Sequence, residues 1–180
     1  MKALIQDITK TRDVEVIVNA ANGKGPLGAG VAGAIGRAGG EQLKREVMKI
    51  CQEAGGYKEG DCYISSPGDL GKRGIKAIYH CVTMEFPGGR TSLDTVGNAM
   101  RTTIEKAIQN GVKSIVFPGL GTGIGCLNPK SVASVMVNVA KKYSAKIDIT
   151  FCDVDPMFIG FVRQSIDQVE KGVDNEKLNK

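Results

Sequence analysis

The sequence predicts an α/β domain in which one sheet lies between layers of helices. Short apolar runs typical of strands alternate along the 180 residues with longer segments that have helical periodicity. This alternation is typical of a sheet covered by helices. The run at residues 14–19 (VEVIVN) is rich in β-branched residues, which indicates a strand buried on both faces. The length favours a single domain, and no repeat or linker divides it.

Strands and helices are predicted in alternation along the whole chain. The strands are expected at residues 3–5, 14–19, 61–65, 75–82, 114–118 and 146–154. The helices are expected at residues 41–56, 92–111, 129–143 and 156–171, each with apolar residues on one face. Ser92 or Asp94 is expected to cap the second helix, and Pro129 lies in the first turn of the third.

The composition disfavours several classes of protein. Apolar residues make up 42% of the chain and charged residues 24%, as in ordinary soluble domains. No apolar run is long enough for a membrane span and no signal peptide is recognisable, so we expect a cytoplasmic protein with no membrane partner. The net charge of +5 comes from scattered basic residues with few aromatics, which disfavours a nucleic-acid partner.

The cysteines and the single histidine favour structural roles. The five cysteines are widely spaced and form no C-x-x-C pair, which argues against a disulfide scaffold and against a zinc site. We therefore expect no metal and no cofactor. Four cysteines are expected to be small buried residues, whereas Cys126 lies in a glycine-rich loop. His80 is expected to be a hydrogen-bonded residue of the sheet.

Two glycine-rich stretches follow predicted strands. They are residues 23–33 (GKGPLGAGVAG) and residues 119–128 (GLGTGIGCLN). Ligands of open α/β sheets bind beyond the carboxyl ends of the strands. Loops without bulky side chains expose backbone N–H groups there, and a following helix adds positive partial charge. The two stretches therefore predict a cleft that holds a phosphate or a diphosphate.

The first stretch also matches, formally, the G-x-G-x-x-G pattern of dinucleotide-binding Rossmann units. The match is weak, because its first glycine lies well beyond the end of the strand. The acidic residue at the expected distance, Glu53, lies inside a helical pattern rather than at a second strand end. A P-loop pattern is absent from the sequence.

Four segments together resemble the macrodomain family, which binds ADP-ribose. They are VIVNAAN (16–22), GAGVAGAI (28–35), IYHCV (78–82) and VFPGLGTGIG (116–125). The resemblance extends over almost the whole chain. It implies a three-layer α/β/α fold with a mixed, mostly parallel central sheet of six or seven strands. Residues 1–170 would form the single macrodomain, and residues 171–180 a polar C-terminal tail that is expected to fray.

The resemblance implies a set of ligand-binding residues. Asp7 would accept a hydrogen bond from the adenine amino group, and Ile8 would supply a backbone contact beside it. Asn22 would bind the hydroxyls of the distal ribose and would be the catalytic residue. Asn19 belongs to the same set, although bracing the loop is the favoured interpretation for it. The two loops would hold the diphosphate, with Gly28, Ala29, Gly30 and Val31 in the first and Gly121, Thr122, Gly123, Ile124, Gly125 and Cys126 in the second. A residue flanking adenine would come from positions 152–154.

The sequence departs from the family pattern at several positions. Many macrodomain hydrolases carry Asp and His in a GVDGAIH segment, where this chain has Ala32 and Gly36. Viral macrodomains also carry GVAGA and are regarded as de-ADP-ribosylating enzymes. Gly125 replaces an aromatic residue of many relatives, so the cleft is expected to be more open there. Lys24 does not match the lysine nucleophile of another branch.

These residues leave two main functional hypotheses and one minor alternative. The first is an ADP-ribosyl hydrolase that removes ADP-ribose from acidic side chains or from related 1″-linked derivatives. The second is a non-catalytic module that reads ADP-ribose or ADP-ribosylated proteins, which the absence of a carboxylate at Ala32 favours. The minor alternative is a nucleotide-binding regulator of another α/β type. Under the first two hypotheses the partners are ADP-ribose and ADP-ribosylated proteins.

Overall fold

A single sheet with helices on both faces forms the described part of the chain. The computed structural model describes the backbone of residues 1–178 and the side chains of residues 1–172. The strands are β1 (Lys2–Ile5), β2 (Val16–Asn22), β3 (Cys62–Ser65), β4 (Ala77–Met84), β5 (Ser114–Phe117) and β6 (Asp148–Asp153). The helices are α1 (Gly30–Gly39), α2 (Glu41–Glu53), α3 (Leu93–Gln109), α4 (Pro129–Lys141) and α5 (Pro156–Leu178). Two 3₁₀ helices span Ile8–Lys10 and Gly68–Arg73.

The sheet is mixed and mostly parallel, as predicted. Its strand order is β1-β6-β5-β2-β4-β3, and β3 alone pairs antiparallel within the described residues. Helices α1 and α2 pack on one face, and α3, α4 and α5 pack on the other. Along β2, Val16 and Val18 pack against the face covered by α3, α4 and α5, whereas Ile17 packs against the face covered by α1 and α2. The strand is therefore buried on both faces, and the predicted three-layer α/β/α fold is confirmed.

Helix α1 was not predicted. The sequence pattern of residues 23–33 indicates a loop, but the chain becomes helical at Gly30 and stays so to Gly39. Glycine disfavours a helix by about 1 kcal/mol relative to alanine. Close packing explains the helix, because Ile35 is fully buried and a Cβ at Gly33 would lie only 2.9 Å from the Gly28 carbonyl oxygen. Tertiary contacts therefore override local propensity here.

His80 is confirmed as a hydrogen-bonded residue of the sheet. It is fully buried in β4, and its Nδ1 lies 3.1 Å from the Asn19 side-chain amide. Its Nε2 lies 2.8 Å from the hydroxyl of Ser65, and its ring stacks on Tyr63 with the centroids 4.5 Å apart. Since the Asn19 amide donates to Nδ1, the proton is on Nε2. Burial lowers the pKa of His80 to about 3, so the ring is neutral at physiological pH.

Three further expectations concern the burial of the cysteines, the absence of a membrane span and the fraying of the C-terminal tail. Cys126 is exposed and the other four cysteines are buried, as predicted. No helix within residues 1–178 is both long enough and apolar enough to cross a membrane. The polar tail of residues 171–180 falls largely outside the side chains that the structure describes, and its fraying stays a prediction.

The burial of His80 predicts a loss of stability on mild acidification. The unfolded chain binds a proton near pH 6.5 and the folded chain does so only near pH 3. The stabilisation is therefore complete above pH 6.5 and is lost as the pH falls towards 3. Between pH 7 and pH 5 we expect the free energy of unfolding to fall by about 2 kcal/mol, measured by urea unfolding. His80→Gln cannot titrate, and an equal loss in that variant would contradict the assignment.

The packing of α1 predicts that a side chain at Gly36 destabilises the fold. A Cβ there would lie 2.9 Å from the Leu27 Cβ and 3.1 Å from the Leu27 carbonyl oxygen. We expect Gly36→Ala to lower the free energy of unfolding by about 1–3 kcal/mol, as overpacking does. Thermal unfolding measures this. The matched control is Gly160→Ala in α5, where nothing lies within 4 Å of the new Cβ and no loss of stability is expected.

Candidate ligand-binding cleft

A cleft of about 680 Å³ opens at the edge of the sheet where the parallel strands end. Its size suits a small-molecule site, which is typically about 300–1,000 Å³. Twelve of the fourteen predicted site residues line it: Asp7, Ile8, Asn22, Gly28, Ala29, Gly30, Val31, Gly121, Thr122, Gly123, Ile124 and Gly125. Cys152, Asp153 and Val154, in which the adenine-flanking residue was expected, line it as well. The two predicted residues that do not line it are Asn19 and Cys126.

Asp7 is held in place by the turn that it caps. One carboxylate oxygen, Oδ1, accepts hydrogen bonds from the Thr9 backbone N–H at 2.9 Å and from the Thr9 hydroxyl at 2.7 Å. Arg73 fixes the same turn, because its guanidinium donates to the Thr9 carbonyl at 2.9 Å. Among the described residues nothing bonds to Oδ2 of Asp7 or to the N–H of Ile8. An acceptor and a donor are therefore both available at this end of the cleft.

The first glycine stretch presents free backbone N–H groups. Ala29 occupies the N-cap position of α1 and has no side chain that can cap the helix. The first helical hydrogen bond runs from the Gly33 N–H to the Ala29 carbonyl at 2.9 Å. The amides of residues 30–32 therefore have no acceptor within the described chain, as is usual for the first turn of a helix. With the helix dipole they form a site suited to an anion.

The second glycine stretch is pinned at both ends and open in the middle. The Gly119 N–H donates to Oδ2 of Asp153 at 3.0 Å, and the Leu127 N–H donates to the Gly121 carbonyl at 3.0 Å. Between these bonds, the amides of residues 121–125 have no acceptor among the described residues. Gly28, Gly30 and Gly123 face open space, with nothing within 4 Å of an added Cβ. A ligand can therefore approach the backbone of both stretches closely.

Asn22 ends β2 at an irregularity in the pairing with β4. Its Oδ1 accepts hydrogen bonds from the N–H groups of Lys24 at 2.9 Å and Gly25 at 3.0 Å. This turn engages the oxygen, whereas the amide Nδ2 has no partner among the described residues and Asn22 lines the cleft. Tyr63 supports the residue from below, because its hydroxyl donates to the Asn22 carbonyl at 3.3 Å. The orientation of Asn22 is thus set by the protein itself.

Asn19 and Cys126 lie away from the cleft. Asn19 is 1% exposed, and its amide is bonded to His80 in the sheet. This placement agrees with the bracing role that the sequence favours for it. Cys126 is exposed and has a left-handed backbone with φ of 52°. Its N–H closes a turn on the Gly123 carbonyl at 3.0 Å, so it shapes the second loop from outside.

The departures from the family pattern have distinct structural settings. Ala32 lines the cleft, whereas Gly36 lies on the buried face of α1. A Cβ on Gly125 would lie 2.6 Å from the Thr91 methyl, and Gly125 itself lines the cleft, so the greater openness expected there stays a prediction. Lys24 does not line the cleft, and its ammonium lies 4.9 Å from the ring centroid of Phe86. This lysine is therefore not placed to attack a ligand.

Sequence reasoning missed several lining residues. Arg37 of α1 lines the cleft, as do Thr83, Met84, Pro87 and Gly88 at the end of β4 and just beyond it. Arg37 was missed because α1 was not recognised as a helix. An arginine one turn beyond the glycines would have been a usable signal once that helix was known. Thr83 and Met84 end the apolar strand β4, and Pro87 and Gly88 follow it. Nothing in these residue types indicates a ligand.

Comparison with known proteins identifies the class. The Macro domain family model matches residues 18–136, which is more than half of the chain, so this protein belongs to the macrodomain family. An O-acetyl-ADP-ribose deacetylase of Enterobacter cloacae is 36% identical over 138 residues, covering 76% of this chain and 74% of that protein.

Solved structures show the same fold. A mutant macrodomain of Oceanobacillus iheyensis with ADPR matches with a TM-score of 0.83 and 22% identity, over 94% of this chain and 92% of that one. A Trypanosoma brucei macrodomain in complex with ADP-ribose matches with a TM-score of 0.75 and 21% identity, over 91% of this chain and 68% of that one. At these identities the likeness concerns the fold.

Proposed function

We propose that this macrodomain binds ADP-ribose in the cleft and hydrolyses esters of ADP-ribose, either on acidic side chains or as related 1″-linked or O-acyl derivatives. One observation carries the proposal. Two groups of backbone amides without protein acceptors border one cleft, together with a carboxylate at Asp7 and the side chain of Asn22. The strand order β1-β6-β5-β2 puts Asp7 and Asn22 at separate points along that edge, which suits a ligand with a base, a diphosphate and a second sugar.

Asp7 is the proposed adenine-recognition residue. Its Oδ2 accepts a hydrogen bond from the adenine amino group, and the Ile8 N–H donates to a ring nitrogen. A guanine carbonyl would face the same carboxylate and be repelled, so the pair selects adenine. Val154 is 69% exposed and lines the cleft, and it is the proposed flanking residue for the base.

The two amide groups are the proposed diphosphate site. Residues 30–32 donate from the start of α1 and residues 121–125 from the second loop. Both surfaces are almost free of side chains, so phosphate oxygens reach N–H groups at about 3 Å. Amides preorganised in this way also stabilise negative charge that develops during a reaction.

Asn22 is the proposed catalytic residue. Its Nδ2 donates to a hydroxyl of the distal ribose and holds the ester against a bound water. The water oxygen adds to the acyl carbonyl, the bond between that carbon and the ribose oxygen breaks, and the ribose oxygen takes a proton. The products are ADP-ribose and a carboxylic acid. Since Ala32 supplies no carboxylate, a phosphate oxygen of the substrate accepts a proton from the attacking water and passes it to the ribose oxygen as that oxygen leaves.

The relatives support ester chemistry. Several are named O-acetyl-ADP-ribose deacetylase, and removal of an acetyl group is hydrolysis of an ester on ADP-ribose. An ADP-ribosylated carboxylate side chain is also an ester. The second candidate is a non-catalytic reader, which the methyl group of Ala32 favours because it cannot orient a water.

The proposed diphosphate site predicts the effect of a charge in the second loop. Gly123→Glu adds a negative side chain at an open position, so the fold is preserved while phosphate is repelled. We expect ADP-ribose affinity to fall at least tenfold, about 1.4 kcal/mol, in calorimetry. Gly160→Glu makes the same change on α5 outside the cleft and is the control. Equal binding by Gly123→Glu and the control would remove the second loop from the site.

Hydrolysis itself is tested by single-turnover release of ADP-ribose. The substrates are O-acetyl-ADP-ribose and a protein ADP-ribosylated on glutamate, with a chelator present. We expect slow release by the parent and at least tenfold slower release by Asn22→Ala, because misplacing the sugar by about 1 Å costs about a hundredfold in rate. Ala32→Asp is expected to bind as the parent does and to turn over at least as fast.

One further substitution, with a control, separates the hydrogen-bond donor of Asn22 from its structural role in the turn. Asn22→Asp keeps an oxygen for the Lys24 and Gly25 amides but loses the donor, so we expect it to fold normally and react slowly. Asn98→Ala, on the exposed face of α3, is the control and should match the parent. A parent that binds ADP-ribose yet releases none above the buffer rate would leave the reader as the function.

A further inference from the structure

We infer that Arg37 contacts a phosphate of the ligand and makes the cleft selective for phosphorylated over unphosphorylated adenosine. The inference rests on the proposed function. Arg37 is exposed and lines the cleft. The charged side chains that line this cleft are those of Asp7, Arg37 and Asp153, so Arg37 is its single cation among the described residues.

Gly33 allows the guanidinium to lie beside the first glycine stretch. Long helical side chains point back towards the helix N-terminus, which for Arg37 is the anion-binding end of α1. A Cβ at Gly33 would lie 3.2 Å from Nη1 of Arg37 and 2.9 Å from the Gly28 carbonyl oxygen. The missing side chain at Gly33 thus leaves a path along which Arg37 reaches back one turn. The guanidinium therefore lies beside Gly33, the residue that follows the free amides of residues 30–32.

The charge of Arg37 is not used by the protein. Within the described residues no carboxylate forms a salt bridge with it, and it makes no hydrogen bond to another residue. Asp7 is engaged by Thr9, and Asp153 is engaged by the Gly119 and Asp155 amides. Neither carboxylate of the cleft pairs with Arg37, so the guanidinium is free for an anionic ligand.

Arginine is chemically suited to this role. Its planar guanidinium binds phosphate oxygens through paired hydrogen bonds, which are stronger than those of neutral amides. The glycine stretches supply neutral donors only. Arg37 adds the ionic component that distinguishes a phosphorylated ligand from adenosine, which offers the same base to Asp7 without the charge.

The test compares three ligands and three variants. Affinities for ADP-ribose and ADP are measured by calorimetry, and the affinity for adenosine by NMR titration. The variants are Arg37→Gln, Arg37→Lys and the control Arg45→Gln, an exposed arginine of α2 that does not line the cleft. Arg37→Gln should weaken ADP-ribose and ADP about tenfold while leaving adenosine within about twofold of the parent. Arg37→Lys should fall between the parent and Arg37→Gln, and Arg45→Gln should match the parent.

Salt provides an independent readout. Between about 50 and about 500 mM NaCl, the ADP affinity of the parent should fall more steeply than that of Arg37→Gln, because screening acts on the ionic contact. Unchanged ADP affinity in Arg37→Gln, or an equal loss for adenosine, would overturn the inference while leaving ADP-ribose binding intact. A parent that binds no ADP-ribose would instead overturn the proposed function, and the role of Arg37 with it.

Discussion

The parallel pairing of the central strands decides where every group of the cleft lies. β2 pairs with β5, β5 with β6, and β6 with β1, all in the same direction. Their carboxyl ends therefore reach one edge of the sheet, and so do the segments that follow them. Asp7, the segment that begins at Asn22 and includes the first glycine stretch, and the second glycine stretch are separate in sequence but share that edge. Reversal of any one of these strands would carry its loop to the opposite side of the domain.

The site is built mainly from backbone. Its free amides belong to residues that line an open cleft, where water or a ligand can accept their hydrogen bonds. The surrounding bonds are what give the loops a defined shape. Asp153 bridges the Gly119 and Asp155 amides, and Asn22 closes its own turn. Rigid loops of this kind reduce the entropy that a ligand would otherwise lose on binding.

The strands and the glycine stretches could be predicted because their signals are local. β-branched runs indicate buried strands. Because each glycine stretch directly follows such a strand, it is expected at the carboxyl edge of the sheet, where ligands bind. Helix α1 could not be predicted in this way. Its glycine content is typical of a loop, and the burial of Ile35 and the close packing of Gly33 on Gly28 explain why the segment is helical. Arg37 was missed for the same reason, since its place in the cleft depends on that helix.

Finer features of the site depended on geometry that no residue pattern carries. The residue type of Asn22 allows it both to donate and to accept, but the Lys24 and Gly25 amides engage its oxygen. The surroundings of Gly125 are likewise set by packing, because the methyl of Thr91 lies 2.6 Å from where a Cβ would stand. Each feature depends on contacts that the residue type alone does not specify.

The tight packing at Gly36 has a consequence for the cleft. An added Cβ there meets both the Cβ and the carbonyl oxygen of Leu27, so even a smaller residue at position 27 would not make room. The backbone of the first glycine stretch itself would have to move. The residue at position 36 and the shape of that stretch are therefore mechanically coupled, and a substitution on the buried face of α1 can reshape the border of the cleft without lining it.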